Sequence, residues 1–156
     1  MLTSTHGLRA AAVAVASLVA LGAMVPLASA EDGAKETSVT VHANAEWQKT
    51  GVSVQQPCNV EYISGLWTAS PQSGMYNSAG NRSQIAKYKY PLPGAPEGSL
   101  IGRIGNAIFI VGTGITTPPG RVGELEFVIN DDIQGYYGVG LKDNYGAVTV
   151  SVSCQN

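Results

Sequence analysis

Leu100-Ile101-Gly102-Arg103-Ile104, then Gly105-Asn106, then Ala107-Ile108-Phe109-Ile110-Val111 reads as two apolar strands joined by a tight turn. Gly-Asn tolerates the positive φ that a two-residue hairpin needs. Working outward, Glu124 to Asn130 alternates Leu125, Phe127 and Ile129 against Glu124, Glu126 and Val128, the period of two expected of a strand with one buried face. Ala147 to Ser153 repeats the pattern with Val148, Val150 and Val152 on one side. Upstream, Ser38 to Ala43 sets Val39, Val41 and Ala43 against Ser38, Thr40 and His42, which places His42 toward solvent. Val60 to Trp67 is read as a strand with Tyr62, Ser64 and Leu66 on one side, and Lys49-Thr50-Gly51 as a turn between Trp47 and Val52. The best helical stretch, Arg82 to Tyr90, is short and carries β-favouring residues. The fold class is therefore all-β: a single sandwich of about eight strands.

Connections follow from turn chemistry. Residues 69–83 form a long polar loop rich in Ser, Gly, Asn and Pro. Pro91-Leu92-Pro93-Gly94-Ala95-Pro96 lacks three ladder donors and reads as a rigid connection at one end of the sandwich.

Residues 1–30 stand apart. Arg9 precedes an uncharged Ala/Val/Leu run from Ala10 to Leu27, and Ala28-Ser29-Ala30 closes it, the pattern of a secretory signal peptide. Ser17, Gly22 and Pro26 interrupt the run, so no transmembrane segment is expected. Residues 31–37 are then a disordered N-terminal segment and 38–156 the folded domain, secreted to the extracellular side. Setting 30 residues aside from 156 leaves 126, with eight Lys and Arg against eleven Asp and Glu, a balance of −3. That charge excludes nucleic acid as a partner on electrostatic grounds. The densest basic group, Arg82, Lys87 and Lys89, reads as a solvated strand face.

The residues beyond 30 contain one histidine, His42, and two cysteines, Cys58 and Cys154. A zinc site built on several histidines is excluded, and a Ser-His-Asp arrangement would have to rely on His42, outside any nucleophile motif. In an oxidising compartment the two cysteines most simply form one disulfide, with free thiols or an intermolecular bridge as the alternatives.

What remains is one constellation. Asn130-Asp131-Asp132 ends one strand, Asp143-Asn144-Tyr145-Gly146 begins the last, and Gly135, Gly138 and Gly140 let the intervening loop fold back. Three carboxylates and two amides at one end of a sandwich are hard oxygen donors of the kind that suit calcium. Asp and Asn are equally ordinary turn formers, so both readings stand at this point.

The order of Trp47-Gln48-Lys49-Thr50-Gly51-Val52, Gly65-Leu66-Trp67, Gly98-Ser99-Leu100-Ile101-Gly102-Arg103-Ile104-Gly105, Phe109-Ile110-Val111-Gly112, Gly123-Glu124-Leu125, Asn130-Asp131-Asp132 and Asp143-Asn144-Tyr145-Gly146 resembles the lectin-A-like family. These are calcium-dependent galactose-binding bacterial lectins and related jelly-roll domains. The resemblance spans Val41 to Val152. It implies a lectin-like jelly-roll β-sandwich in which Asp131, Asp143 and Asn144 hold one Ca2+, and in which that ion binds vicinal hydroxyls of a carbohydrate, a glycan or cell-surface saccharide. It implies no catalytic residues. Asp132 would add charge if it turned inward, and Tyr136, Tyr137, Tyr145 and Tyr90 are candidates to cover the sugar ring. Tyr90-Pro91-Leu92-Pro93 is the stretch comparable to the sugar-contacting His-Pro-x-Gln segment of the galactose-binding members. Two alternatives remain beside this expectation. One is a non-catalytic extracellular structural or interaction protein that keeps the fold without sugar binding. The other is a glycosidase using Glu124 or Glu126 with Asp131.

Overall fold

The computed structural model describes residues 35–155; the signal peptide expected over 1–30 and the first residues after it lie outside them. Ten strands are present: β1 (Lys35–His42), β2 (Gln48–Val54), β3 (Cys58–Thr68), β4 (Asn81–Ile85), β5 (Pro96–Glu97), β6 (Leu100–Ile104), β7 (Ala107–Ile110), β8 (Gly114–Thr116), β9 (Gly123–Ile129) and β10 (Tyr145–Cys154). Short 3-10 turns span Pro71–Ser73 and Gly140–Asp143. Among the described residues, no helix is long and apolar enough to cross a membrane.

Two four-stranded antiparallel sheets form the sandwich, ordered β1-β10-β3-β8 and β2-β9-β6-β7, and β4 and β5 make a separate two-stranded ribbon. Following the chain through the eight sandwich strands, every connection crosses between sheets except the β6–β7 hairpin. This is the jelly-roll arrangement. The centre of each sheet joins strands far apart in sequence, so no local segment could hold the fold alone.

The alternating strands behave as their sequences dictate. Leu125, Phe127 and Ile129 of β9 and Val148, Val150 and Val152 of β10 are fully buried between the sheets, with Val41, Val60, Leu100 and Trp67. Each such side chain contributes roughly 1.5–3 kcal/mol through burial. The Trp67 indole N–H, which would otherwise be unsatisfied, donates to the Gly98 carbonyl at 2.8 Å. Ile104 pairs with Ala107 across Gly105-Asn106, and Gly105 adopts φ +58°, as the hairpin reading requires. Val128 and Ile101, cross-strand partners on the other face, are also fully buried.

Three expectations are corrected. In β3, Tyr62 pairs with Val150 and Ser64 with Thr149, so Ile63 is an extra residue in a bulge. A one-residue insertion flips every later side chain, which turns Trp67 inward and leaves Ser64 and Leu66 exposed, off the Tyr62 face. Lys49-Thr50-Gly51 does not reverse the chain. It lies within β2, where pairing with β9 jumps from Lys49–Glu126 to Ser53–Glu124, and the Thr50 hydroxyl donates to the Leu125 carbonyl at 2.7 Å to fill the gap. Finally, Lys35, Glu36 and Thr37, placed in the disordered segment from sequence, belong to β1. Their backbone pairs with Cys154, Ser153 and Val152, and this long partner strand supplies order that the polar side chains do not announce.

Cys58 and Cys154 form the disulfide, joining residues directly opposite each other in the β3–β10 ladder.

Candidate functional site

The loop between β9 and β10 passes from one sheet to the other, which brings Asn130-Asp131-Asp132 and Asp143-Asn144 to the same end of the sandwich. Asn130 is fully buried and works as a clamp. Its side-chain oxygen accepts from the Leu92 amide at 3.1 Å, and its NH2 donates to the Leu92 carbonyl at 2.9 Å and the Pro96 carbonyl at 3.3 Å. Its main-chain carbonyl accepts from the Gly98 amide at 2.8 Å. The proline-rich connection is thereby fixed beside the acidic loop ends. At the other end of the loop, a side chain at Gly146 would put its Cβ 2.3 Å from the Leu66 carbonyl oxygen, and φ there is +89°. Only glycine fits, so Gly146 locks Asp143-Asn144 against β3.

An open cleft of about 450 Å³ results, with Asp131, Asp132, Asp143, Glu97, Tyr90, Tyr137 and Lys87 among its walls. Asp131 and Asn144 are both almost fully buried. Each is anchored through one atom and presents the other. Asp131 Oδ1 accepts from the Asp132 amide at 2.7 Å, and Asn144 Nδ2 donates to the Ala43 carbonyl at 3.1 Å. That leaves Asp131 Oδ2 and Asn144 Oδ1 shut from solvent with no hydrogen-bond partner. An unpartnered buried acceptor is unfavourable by about 1–3 kcal/mol. Asp131 lines the cleft, whereas Asn144 is not among its lining residues.

Asp132 is placed differently from the expectation. Its two carboxylate oxygens accept from the Tyr136 amide at 2.8 Å and the Tyr137 amide at 2.5 Å. These bonds brace the loop from four and five residues away, while Asp132 still lines the cleft. Among the described residues, no three His, Cys, Asp or Glu side chains gather as a metal-holding group. Of the three ligands expected from the sequence, Asp131 and Asp143 line the cleft with two carboxylates and Asn144 keeps an unpartnered amide oxygen. Such oxygens, completed by main-chain carbonyls or water, are a calcium set and a poor zinc set.

Burial pushes the Asp131 carboxyl up to about 6, with the charges of Glu97 and Asp143 adding to the effect and the Asp132 amide and Asn144 side chain opposing it. The folded value lies above the unfolded one. The protonated form is therefore favoured by folding, and this contribution is full below about pH 4 and lost as pH rises through 6. We expect the metal-free protein to lose at most about 3 kcal/mol of stability from this group between pH 4 and 7. Urea melts in chelator across that range check it, and a flat profile would contradict it.

Of the tyrosines, Tyr90 is buried and its hydroxyl donates to Glu97 at 3.2 Å; burial and the nearby carboxylates raise its pKa. The Tyr137 ring lies 6.1 Å from that of Tyr90, tilted by 31°, and together they form an aromatic wall of the cleft. Tyr136 and Pro91 are not among the residues lining it. Glu97 and Lys87, which do line it, had no motif to announce them; they arrive because Asn130 clamps their segment.

Glu124 and Glu126 sit away from the cleft. Glu124 pairs with Lys49 at 3.1 Å, and Glu126 with Arg103 at 2.6 Å, where Arg103 also stacks 4.4 Å from the Trp47 ring centre. Arg103 holds the Glu126 carboxyl below the usual range. Neither glutamate lines the cleft with Asp131, which is the geometry the glycosidase alternative needed.

No protein-family model matches the chain, and no curated protein matches it. Among solved structures it is similar to a chain described as "EclA N-terminal domain; PllA-like lectin", with a TM-score of 0.57 and 23% identity over 75% of this chain and 94% of that one. The jelly roll described above is therefore similar in fold to that chain.

Proposed function

We propose that this chain is a secreted, non-catalytic carbohydrate-binding module that recognises sugar hydroxyls through a calcium ion held by Asp131, Asp143 and Asn144. The observation that carries the reading is the pair of buried, unpartnered oxygens, Asp131 Oδ2 and Asn144 Oδ1, at the two ends of one loop. The lectin fold of its structural neighbour supports the ligand class. The disulfide supports an oxidising, extracellular destination.

Each residue has a definable task. The Asp132 amide and the Ala43 carbonyl fix the orientations of the Asp131 and Asn144 side chains, so their free oxygens need not reorganise on binding. Asp132 braces the backbone at Tyr136 and Tyr137. Tyr137 and Tyr90 offer ring surface against the apolar face of a pyranose. Calcium, when bound, supplies open coordination positions at which hydroxyl oxygens replace water. A neutral diol competes poorly with water for ordinary hydrogen bonds, and this exchange is what gives the site its selectivity for hydroxyls at fixed spacing.

Thermal melts in calcium and in chelator, followed by isothermal titration with a panel of monosaccharides, test the reading. A hundredfold excess of calcium over its Kd should add about 2.7 kcal/mol, a rise in Tm of roughly 10 °C for a domain this size. No rise at millimolar calcium would overturn the mechanism.

A further inference from the structure

Two lysines beside the cleft take no part in the function just described. Four carboxylates line the cleft, Glu97, Asp131, Asp132 and Asp143, and Lys87 lines it too. Yet the ion pairs among the described residues are Lys49–Glu124 and Arg103–Glu126, and Lys87 is in neither. Its ammonium rests 5.0 Å from the Tyr137 ring centre. Lys89 is held similarly, 4.9 Å from the Tyr88 ring centre and 5.3 Å from that of Tyr136. All three tyrosines are exposed. Two lysines and three tyrosines thus form a strip that starts on the cleft wall at Lys87–Tyr137 and continues through Tyr136, Lys89 and Tyr88.

Two of the cleft carboxylates are engaged by neutral donors. Both Asp132 oxygens accept backbone amides, and Glu97 accepts from Tyr90. Asp131 and Asp143 are the carboxylates assigned to calcium in the proposed function. A ring face takes one side of an ammonium by cation–π attraction and leaves its remaining N–H donors free. Lys87 is therefore an exposed cation on the cleft wall with donors to spare.

We infer that the saccharide this cleft takes is acidic: Lys87 receives an anionic substituent, a carboxylate or a sulfate ester, on the sugar whose hydroxyls meet the calcium position, and the Tyr136–Lys89–Tyr88 strip carries the glycan onward. This rests on the proposed calcium-dependent sugar binding and narrows its ligand class. A neutral sugar would leave the ammonium unanswered, whereas an acidic one meets two cationic centres on either side of its ring. The same strip offers π-faces on which successive sugar rings can stack.

Isothermal titration in millimolar calcium with three probes, a neutral hexose, the corresponding hexuronate and the 6-sulfated hexose, decides it. At low salt one or both anionic probes should bind about tenfold more tightly than the neutral one, as expected for one charge-assisted hydrogen bond, and the stronger of the two identifies the substituent. The preference should shrink in high salt and fall to near unity in Lys87→Met, while Lys87→Arg retains it; an unchanged Tm shows that the Met variant folds. Equal binding of neutral and acidic probes, or a preference that survives in Lys87→Met, overturns the inference and leaves calcium-dependent sugar binding intact. Lys87-dependent capture of the acidic probe in chelator would uphold the inference and overturn the calcium mechanism. No heat with any probe overturns both.

Discussion

Asp131→Asn is expected to stabilise the calcium-free protein at neutral pH and to abolish its response to calcium. The two effects come from the same atoms. In the wild type the Asp131 carboxylate is almost fully buried, one of its oxygens has no partner, and burial together with Glu97 and Asp143 raises its pKa to about 6. At pH 7 it is therefore charged in a place that disfavours charge, at a cost of at most about 3 kcal/mol. Asparagine keeps the shape and the oxygen that accepts from the Asp132 amide, and removes the charge. The metal-free variant should melt above the metal-free wild type at pH 7, and its stability should lose the fall between pH 4 and 7. In calcium the order reverses, because an amide in place of a carboxylate leaves Asp143 as the only full negative charge in the donor set. The expected ranking of Tm at pH 7 is wild type with calcium, then Asp131→Asn in either condition, then wild type in chelator. Were the residue only a turn former, the variant would melt at or below the metal-free wild type and calcium would move neither protein. An enlarged calcium response in the variant would also defeat the assignment.

That opposition between function and stability explains why the loop ends could be found in the sequence while their division of labour could not. Asp131, Asp132, Asp143 and Asn144 stood out as four oxygen-bearing residues in a chain with few charges. Which of them keeps a free oxygen and which ties down the loop depends on backbone geometry. Asp132 differs from Asp131 only in which amides lie within its reach, Tyr136 and Tyr137 instead of its own neighbour. Alternation made β6, β7, β9 and β10 legible, because each has one face against the other sheet and a turn chemistry that fixes its ends. It failed at β3, where Tyr62, Ile63 and Ser64 give no sign of which residue is extra, and at Thr50-Gly51, where turn-forming residues build a bulge inside a strand. Lys87 was harder still. Arg82, Lys87 and Lys89 are all exposed as a solvated basic group should be, yet Lys87 also lines the cleft, beside a segment that the buried side chain of Asn130 holds by the main chain of Leu92 and Pro96. A clamp of that kind joins positions that no local pattern connects.

Removing the disulfide should produce the largest loss of stability and leave the site intact. Cys58 and Cys154 are separated by 96 positions, and a cross-link of that span removes enough unfolded-chain entropy to stabilise the native state by about 4–5 kcal/mol. Against a total of roughly 5–15 kcal/mol for a domain, that is a third or more of the whole. The Cys58–Thr117 contacts, an amide donating to the Thr117 hydroxyl at 2.9 Å and a carbonyl accepting from the Thr117 amide at 2.8 Å, should hold the strand end in place once the protein is folded. The staple also sits at the far end of β10 from the cleft. Cys154 pairs with Cys58 at one end of the ladder and Tyr145 with Thr68 at the other, and the 10 residues of β10 at about 3.3 Å each make the separation roughly 30 Å. The double variant Cys58→Ala, Cys154→Ala is therefore expected to unfold at much lower denaturant while binding calcium with unchanged affinity when folded. Calcium should add the same increment of free energy to variant and wild type, since that increment depends only on concentration and on the affinity of the folded state. Urea melts at several calcium concentrations measure both quantities together. A calcium increment that shrinks in the variant would mean that the loop ends depend on the staple through the full length of β10, and the ladder would then transmit strain instead of isolating the site from it.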